Sequence, residues 1–241
     1  MAEPKYRRVL LKISGEGLCA KGNFGIDGEE LNKLAQEIKL VVDLGAQVCI
    51  VVGGGNIVRG SVIAKHAHIE ETTGHYMGML ATVINAIAVQ DILEGIGVPT
   101  RVQSALSVDR VCEPFIRRRA IRHLEKGRVV IFAAGTGNPF VTTDTGGALR
   151  ASEIRANVLL KATKVDGIYT ADPMIDPNAK RIEELTYEQF IDQRLKVMDL
   201  SAVDLCHRSS IPIIVFDLKK PGNMRAVVEG KRVGTRVGFP E

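Results

Sequence analysis

The side chains best placed to do chemistry in this chain are two lysines, each set in an otherwise apolar run. Lys12 follows Val9-Leu10-Leu11 and precedes Ile13-Ser14-Gly15-Glu16, while Lys161 follows Val158-Leu159-Leu160 and precedes Ala162-Thr163. Lysine is almost never buried without a partner. At the carboxyl end of a strand, beside hydroxyls and glycine, it reads as a phosphate ligand; the competing reading is a lysine whose stem snorkels from a sheet edge. Two glycine-rich turns lie between them. Gly53-Gly54-Gly55 follows the apolar run Val48-Cys49-Ile50-Val51-Val52 and is succeeded by Arg59. Gly135-Thr136-Gly137-Asn138-Pro139-Phe140-Val141-Thr142-Thr143 follows a second apolar run and ends at Asp144. A strand that turns through glycine exposes successive backbone N–H groups, and such a concavity seats anions. With Thr163 and Asp172 the set holds three cations, two amide-rich turns, several hydroxyls and two carboxylates. That chemistry suits phosphoryl transfer, where catalysis is positioning plus neutralisation of the transferred group's charge. Lys12 and Lys161 would clamp its oxygens from opposite sides, and Asp144 would orient the lysines or help hold Mg²⁺. No covalent intermediate is needed.

The elements that must position these residues alternate strand and helix almost throughout. The first strand runs Val9 to Ile13. Asp27, with Glu30 three residues on, opens a helix whose apolar face is Leu31, Leu34, Ala35, Ile38 and Val41, stopped by Gly45. The Val48–Val52 strand follows. Residues 61–74 read as a polar, alanine-rich surface stretch, with His66 and His68 on it. A long helix from His75 to Glu94 comes next, whose many small residues suggest tight packing, including between subunits. Then come a strand Thr100–Gln103, a helix Arg117–Glu125, a strand Val129–Ala134 and a helix Thr145–Glu153. The second half holds the Lys161 strand, a turn-rich connector 164–173, a loop-like stretch 174–186, helices Tyr187–Gln193 and Ser201–His207, and a strand Ile211–Phe216. Val227–Phe239 is expected to give a final strand or hairpin. The class is α/β with a mostly parallel sheet covered on both faces, and ligands of such sheets bind at the strands' carboxyl ends. We expect one domain over residues 1–241 with two lobes and a seam near Ala148.

Composition excludes several alternatives. Net charge is +4 and tryptophan is absent, with aromatics at 5%, so neither a nucleic-acid footprint nor a base-stacking platform is expected. Arg117-Arg118-Arg119 sits on a helical stripe and reads as a solvated face or one turned to an anionic ligand or partner. Cys19, Cys49, Cys112 and Cys206 lack CxxC spacing and read as small buried hydrophobes, and the five histidines show no HExxH, so a zinc site is not expected. With no signal-like start and no apolar stretch of membrane-spanning length, the expected location is the cytoplasm, away from any membrane. Gly53, Gly55 and Val58 fail the GxGxxG pattern at its last glycine. GxxxxGK[ST] and GxSxG are absent.

Six blocks in order then carry a family resemblance from Tyr6 to about Gly234. They are Lys12-Ile13-Ser14-Gly15-Glu16, Gly53-Gly54-Gly55-Asn56 with Arg59-Gly60, and Tyr76-Met77-Gly78-Met79-Leu80-Ala81-Thr82, then Gly135-Thr136-Gly137-Asn138-Pro139-Phe140, Leu160-Lys161-Ala162-Thr163-Lys164-Val165-Asp166-Gly167, and Lys196-Val197-Met198-Asp199. Together they resemble the bacterial uridylate kinases of the amino-acid kinase family. The resemblance implies a three-layer αβα sandwich, phosphorylation of UMP to UDP by ATP with Mg²⁺, and a homohexamer activated by GTP and inhibited by UTP. It places ATP on Lys12, Ser14, Gly15, Gly55, Thr163, Tyr169 and Asp172, with Arg59 reaching the transferred phosphate. It places UMP on Gly54, His75 and the run Thr136, Gly137, Asn138, Pro139, Phe140, Val141, Thr142 and Thr143. Asp144 and Asp199 match acidic residues implicated in catalysis or in organising the site. Asp91, Arg101 and Arg128 match positions associated with the GTP effector, where composition alone reads surface charge. No protein metal ligand is assigned, and no nucleic acid or membrane partner is implied.

One position departs from the family. Where its members usually carry an aspartate that contacts the acceptor's ribose hydroxyls, this chain has His75, which can make one such hydrogen bond but not a bidentate pair. Two other functions compete. A regulatory nucleotide binder would not need two buried-strand lysines converging on a carboxylate. A carboxylate or carbamate kinase of the same fold would call for more basic residues than the hydroxyl- and amide-rich 136–143 turn provides.

Overall fold

The computed structural model describes residues 3–20, 22–59, 68–171, 175–176 and 178–240. Gly60, His66, Asp172 and Pro173 lie outside the described residues. The strands are β1 (Arg8–Ile13), β2 (Gln47–Val52), β3 (Thr100–Ser104), β4 (Glu113–Pro114), β5 (Val129–Ala133), β6 (Val158–Thr163), β7 (Ile168–Tyr169), β8 (Arg181–Ile182), β9 (Glu184–Leu185), β10 (Ile213–Asp217) and β11 (Thr235–Val237). The helices are α1 (Gly28–Val42), α2 (Glu71–Gly95), α3 (Arg117–Glu125), α4 (Thr143–Glu153), α5 (Tyr187–Asp192), α6 (Leu200–Arg208) and α7 (Asn223–Val228), and a 3₁₀ turn spans Gly15–Leu18.

Among the described residues nine strands form one sheet in the order β4-β3-β5-β2-β1-β6-β10-β11-β9, with β7 and β8 apart as a small antiparallel pair. Within the large sheet the only antiparallel pairing among the described residues is β10–β11. Side chains of a strand alternate between faces, and the core divides accordingly. Val9, Leu11 and Ile13 join α1, α2 and α7 on one face, while Leu10 joins α3, α4, α5 and α6 on the other. The architecture is therefore the expected αβα sandwich.

Several boundaries moved, each for a local reason. Thr142 caps α4 through its side chain, which accepts from the Thr145 N–H, so the helix starts at Thr143 and takes Asp144 into its first turn. Met224, Val227 and Val228 bury at i, i+3 and i+4, which makes the start of the expected terminal strand a short helix and leaves only Thr235–Val237 extended. The stretch 174–186 carries β8 and β9, each two residues long and too short to show a hydrophobic period. Helix α2 begins before His75. By length and composition it could cross a membrane. Here Ala81, Val83, Ala86, Val89 and Leu93 are buried in the core, and Asn85, also buried, donates to the Gly53 carbonyl at 2.7 Å.

Candidate active site

The site is built at the carboxyl ends of the two central strands. Lys12 and Lys161 are direct partners across the β1–β6 pairing, so they share a face and a level. That face is the one α4 covers. Gly147 of α4 lies against the Lys12 stem, where an added Cβ would come within 3.6 Å of Cγ, and this close approach lets the stem run outward along the helix. Asp144, in the first turn of α4, then meets both ammonium groups. Its Oδ1 lies 2.7 Å from Lys12 Nζ, and its Oδ2 accepts from Lys161 Nζ. The three side chains are only 10%, 12% and 9% exposed for Lys12, Asp144 and Lys161.

The electrostatics follow from that geometry. Burial alone would raise the Asp144 carboxyl, but the charges of Lys12 and Lys161 outweigh it and hold the group below the usual aspartate range. The Lys161 ammonium is pushed down, first by burial and then by the neighbouring Lys12 charge, with Asp144 and Asp199 opposing. The helix N-terminus adds partial positive charge on the same spot. Asp199, the N-cap residue of α6, accepts a hydrogen bond from Thr142 Oγ1 rather than capping its own helix, and Thr145 Oγ1 is 2.8 Å from Ser201 Oγ. The amino ends of α4 and α6 are thus joined beside the lysine pair.

The first glycine turn is shaped more by its own packing than by the need for a bare surface. A Cβ on Gly54 would fall 2.6 Å from the Gly78 carbonyl of α2, and one on Gly15 would fall 2.3 Å from Asn56 Oδ1. Gly55 alone of the three faces a flexible side chain, that of Arg59, whose Nε would be 3.7 Å from such a Cβ. Two buried asparagines fasten the turn. Asn85 Nδ2 donates to Asn56 Oδ1 at 2.7 Å, and Asn56 Nδ2 donates to the Gly25 carbonyl at 2.7 Å. Sequence reasoning missed Asn85, because a polar residue inside an apolar helix is marked only by the partners that surround it once it is buried. It missed Arg150 as well. That residue is buried, stacks on Phe115 at 3.7 Å and donates to the Gly135 carbonyl at 3.0 Å, so it fixes the second turn from behind.

The second turn, Thr136 to Thr142, runs from β5 into α4 with Phe140 in the left-handed region at φ 63° and 62% exposed. The ring of His75 packs against it with centroids 4.7 Å apart. Thr82 of α2 accepts from the Ala134 N–H at 2.7 Å. The residues expected at the acceptor, Gly54, His75 and the 136–143 run, therefore converge between α2 and this turn.

Of the residues expected at ATP, Lys12, Ser14, Gly15, Gly55, Arg59 and Thr163 gather at the carboxyl ends of β1, β2 and β6. Tyr169 stands on the small β7–β8 pair and donates to Asp166 Oδ1 at 2.6 Å. A cavity of about 480 Å³ opens beside them, lined by Ser14 and Thr163 together with Leu34, Leu218, Lys219 and Pro221. The loop after β10 that closes it was not singled out by sequence reasoning, because Leu218, Lys219 and Pro221 form no motif. Asp91, Arg101 and Arg128 sit elsewhere. Arg101 is the second residue of β3 and Arg128 directly precedes β5, so both lie at the amino edge of the parallel strands. Arg101 pairs with Glu94 at 2.9 Å, and Arg128 contacts His123 Nδ1 at 3.1 Å.

A three-layer αβα sheet whose central strands end in two lysines sharing a carboxylate, beside two glycine turns and a helix N-terminus, is the architecture of a phosphoryl-transfer enzyme. Residues 7–217 match the profile of the amino acid kinase family, and the chain belongs to that family. Among solved structures it is similar to UMP kinase from Bacillus anthracis, with 37% identity over 98% of this chain and 97% of that one and a TM-score of 0.95. It is also similar to UMP kinase from Ureaplasma parvum, at 37% identity over 97% and 99% with a TM-score of 0.91. Uridylate kinase from Archaeoglobus fulgidus matches at 31% identity over 95% and 99%, with a TM-score of 0.75.

Proposed function

We propose that this protein transfers the γ-phosphoryl group of ATP to UMP by direct in-line displacement, giving UDP and ADP. The single observation that carries this reading is the Lys12–Asp144–Lys161 constellation, two ammonium groups held level on one face where charge would develop on the transferred group. Preorganised cations of this kind stabilise the transition state without reorganising. Arg59 would meet the same group from the first glycine turn. Asp144 fixes the lysines, and Asp199, through Thr142, holds the amino ends of α4 and α6 together. ATP would lie over Ser14, Gly15, Gly55, Thr163, Tyr169 and Asp172. UMP would lie over Gly54, His75 and residues 136–143. On this reading the acceptor residues all precede the seam near residue 148, while the donor residues come from both sides of it, Ser14, Gly15 and Gly55 before and Thr163, Tyr169 and Asp172 after.

Among the described residues no three carboxylates, histidines or cysteines gather as a metal cage. Mg²⁺ commonly needs none, being held by substrate phosphates, water and one or two carboxylates; Asp144 and Asp199 are the carboxylates that would assist. When bound, the ion would neutralise phosphate charge.

A homohexamer is part of the same proposal. An apolar stripe on α2, where Tyr76, Leu80, Ile84 and Ile87 recur at helical spacing while 42%, 47%, 52% and 36% exposed, supports self-association; the number six rests on the resemblance. Activation by GTP through Asp91, Arg101 and Arg128 and inhibition by UTP rest on the resemblance. A coupled assay of ADP release with UMP, CMP, dUMP and acetylglutamate tests the reading. Turnover with UMP well above the others is expected. Turnover only with the carboxylate substrate would replace it by the carboxylate-kinase alternative, and binding without turnover by a regulatory role.

A further inference from the structure

A second carboxylate stands between two cations at the rim of the site. Glu16, in the 3₁₀ turn after β1, contacts Arg59 NH2 through Oε1 and lies 2.7 Å from Lys164 Nζ through Oε2. Arg59 folds back over Gly55, and Lys164 follows Thr163 at the end of β6. Glu16 therefore ties together three loops that leave the carboxyl ends of three adjacent strands, β1, β2 and β6. The same three residues line a cavity of about 530 Å³ that also includes Gly55 and Asn56. None of them is deeply buried, with Arg59 and Lys164 each 57% exposed and Glu16 36% exposed. Exposed pairs hold loosely and are screened by solvent. A phosphate chain brings more negative charge than one carboxylate, with oxygens that suit a bidentate guanidinium.

From this we infer that Glu16 is an exchangeable counter-ion of the donor site. Its carboxylate competes with the nucleotide's phosphates for Arg59 and Lys164, and so limits how tightly a nucleoside di- or triphosphate is held. The inference rests on the proposed nucleotide site and assigns Glu16 a role through those two cations. No bond is made or broken; one ionic contact replaces another. The competing role, a brace that fixes Arg59 and Lys164 for the nucleotide, predicts the opposite sign.

Calorimetric titration of ADP, and separately of inorganic tripolyphosphate, into wild type, E16Q, K164M and the double variant decides between them. E16Q is expected to bind both ligands more tightly, by roughly two- to fivefold, which is the scale of one exposed ion pair. The gain should shrink in the K164M background. The slope of log Kd against log salt should steepen in E16Q, because solution anions, now taking the carboxylate's place, are released on binding. A lost brace would not produce that steepening. Unchanged or weaker binding by E16Q overturns the role of Glu16 while leaving the nucleotide site standing. Failure of the wild type to bind either ligand overturns both.

Discussion

On the floor and on the rim of the site the protein sets the same motif, one carboxylate between two cations, in opposite surroundings. On the floor, Lys12, Asp144 and Lys161 are about nine-tenths buried. On the rim, Arg59, Glu16 and Lys164 face solvent. Two charges 4 Å apart interact several times more strongly in a partly desolvated site than in bulk water, and desolvation also makes an unpaired charge costly. The floor is therefore fixed: neither lysine can lose Asp144 without a buried, uncompensated ammonium. The rim exchanges partners at little cost. Chemistry needs the first, because the groups that stabilise a transition state must be in place beforehand. Nucleotide entry and release need the second.

The largest expected break of this comparison is Asp144→Asn. Removing the carboxylate leaves two ammonium groups buried together, so the variant should lose about 3–5 kcal/mol of stability along with most of its kcat. Denaturant unfolding and initial rates test both, and a floor variant as stable as wild type would refute the claim that this cluster is desolvated. The triple variant Lys12→Met, Asp144→Leu and Lys161→Met, which removes every charge of the cluster, should recover much of the stability and none of the activity. Removal of the corresponding rim carboxylate in Glu16→Ala should change stability by only about 0–1 kcal/mol, and the contrast between the two sites is itself the test.

Next comes Lys12→Ala, expected to lower kcat at least about tenfold because it removes an interaction strengthened in the transition state. An unchanged kcat would assign Lys12 to structure alone.

Titration sharpens the comparison further. Because the folded Asp144 carboxyl is held below its ordinary value, its contribution to stability is fully present above about pH 4, the range of a free aspartate, and is lost as pH falls through the lowered value. Acid unfolding of wild type should show this loss, and Asp144→Asn should lack it. Lys161 has the opposite consequence. Its ammonium is disfavoured in the folded protein, so kcat should fall on the alkaline side before free lysine titrates, near about pH 10.4. Lys161→Arg should move that limb upward, and an identical limb in both proteins would remove Lys161 from the titration.

The smallest effect belongs to the acceptor side. An aspartate accepts two hydrogen bonds where the imidazole makes one, so His75→Asp should lower the KM for UMP by roughly twofold or more at a fixed pH. The substitution also removes the ring contact of His75 with Phe140. An unchanged KM would remove His75 from the acceptor site.

How much of this was legible beforehand differs by residue. Lys12 and Lys161 were readable because a charge inside an apolar run needs a reason. Asp144 was read as the end of a turn, and its place in the first turn of α4 depended on the Thr142 cap. The three glycines were readable as a turn, but the reason for Gly54 is the backbone of α2 pressed against it, a contact between segments distant in sequence. Asn85 and Arg150 gave no sign in one dimension, since a buried polar side chain is marked by what surrounds it. The loop after β10 gave none for the same reason.

Composition, apolar periodicity and glycine spacing by themselves determined that the chain is an α/β protein with a mostly parallel sheet and anion-seating turns at its strand ends. Those are local properties, set by propensity and by the alternation of side chains along each strand. Only the tertiary structure decided that β1 and β6 are neighbours in a register that sets Lys12 beside Lys161. It alone aimed the first turn of α4 between them, and placed Glu16 across Arg59 and Lys164. Strand order and register come from long-range pairing, and the linear sequence does not state which charge will face which.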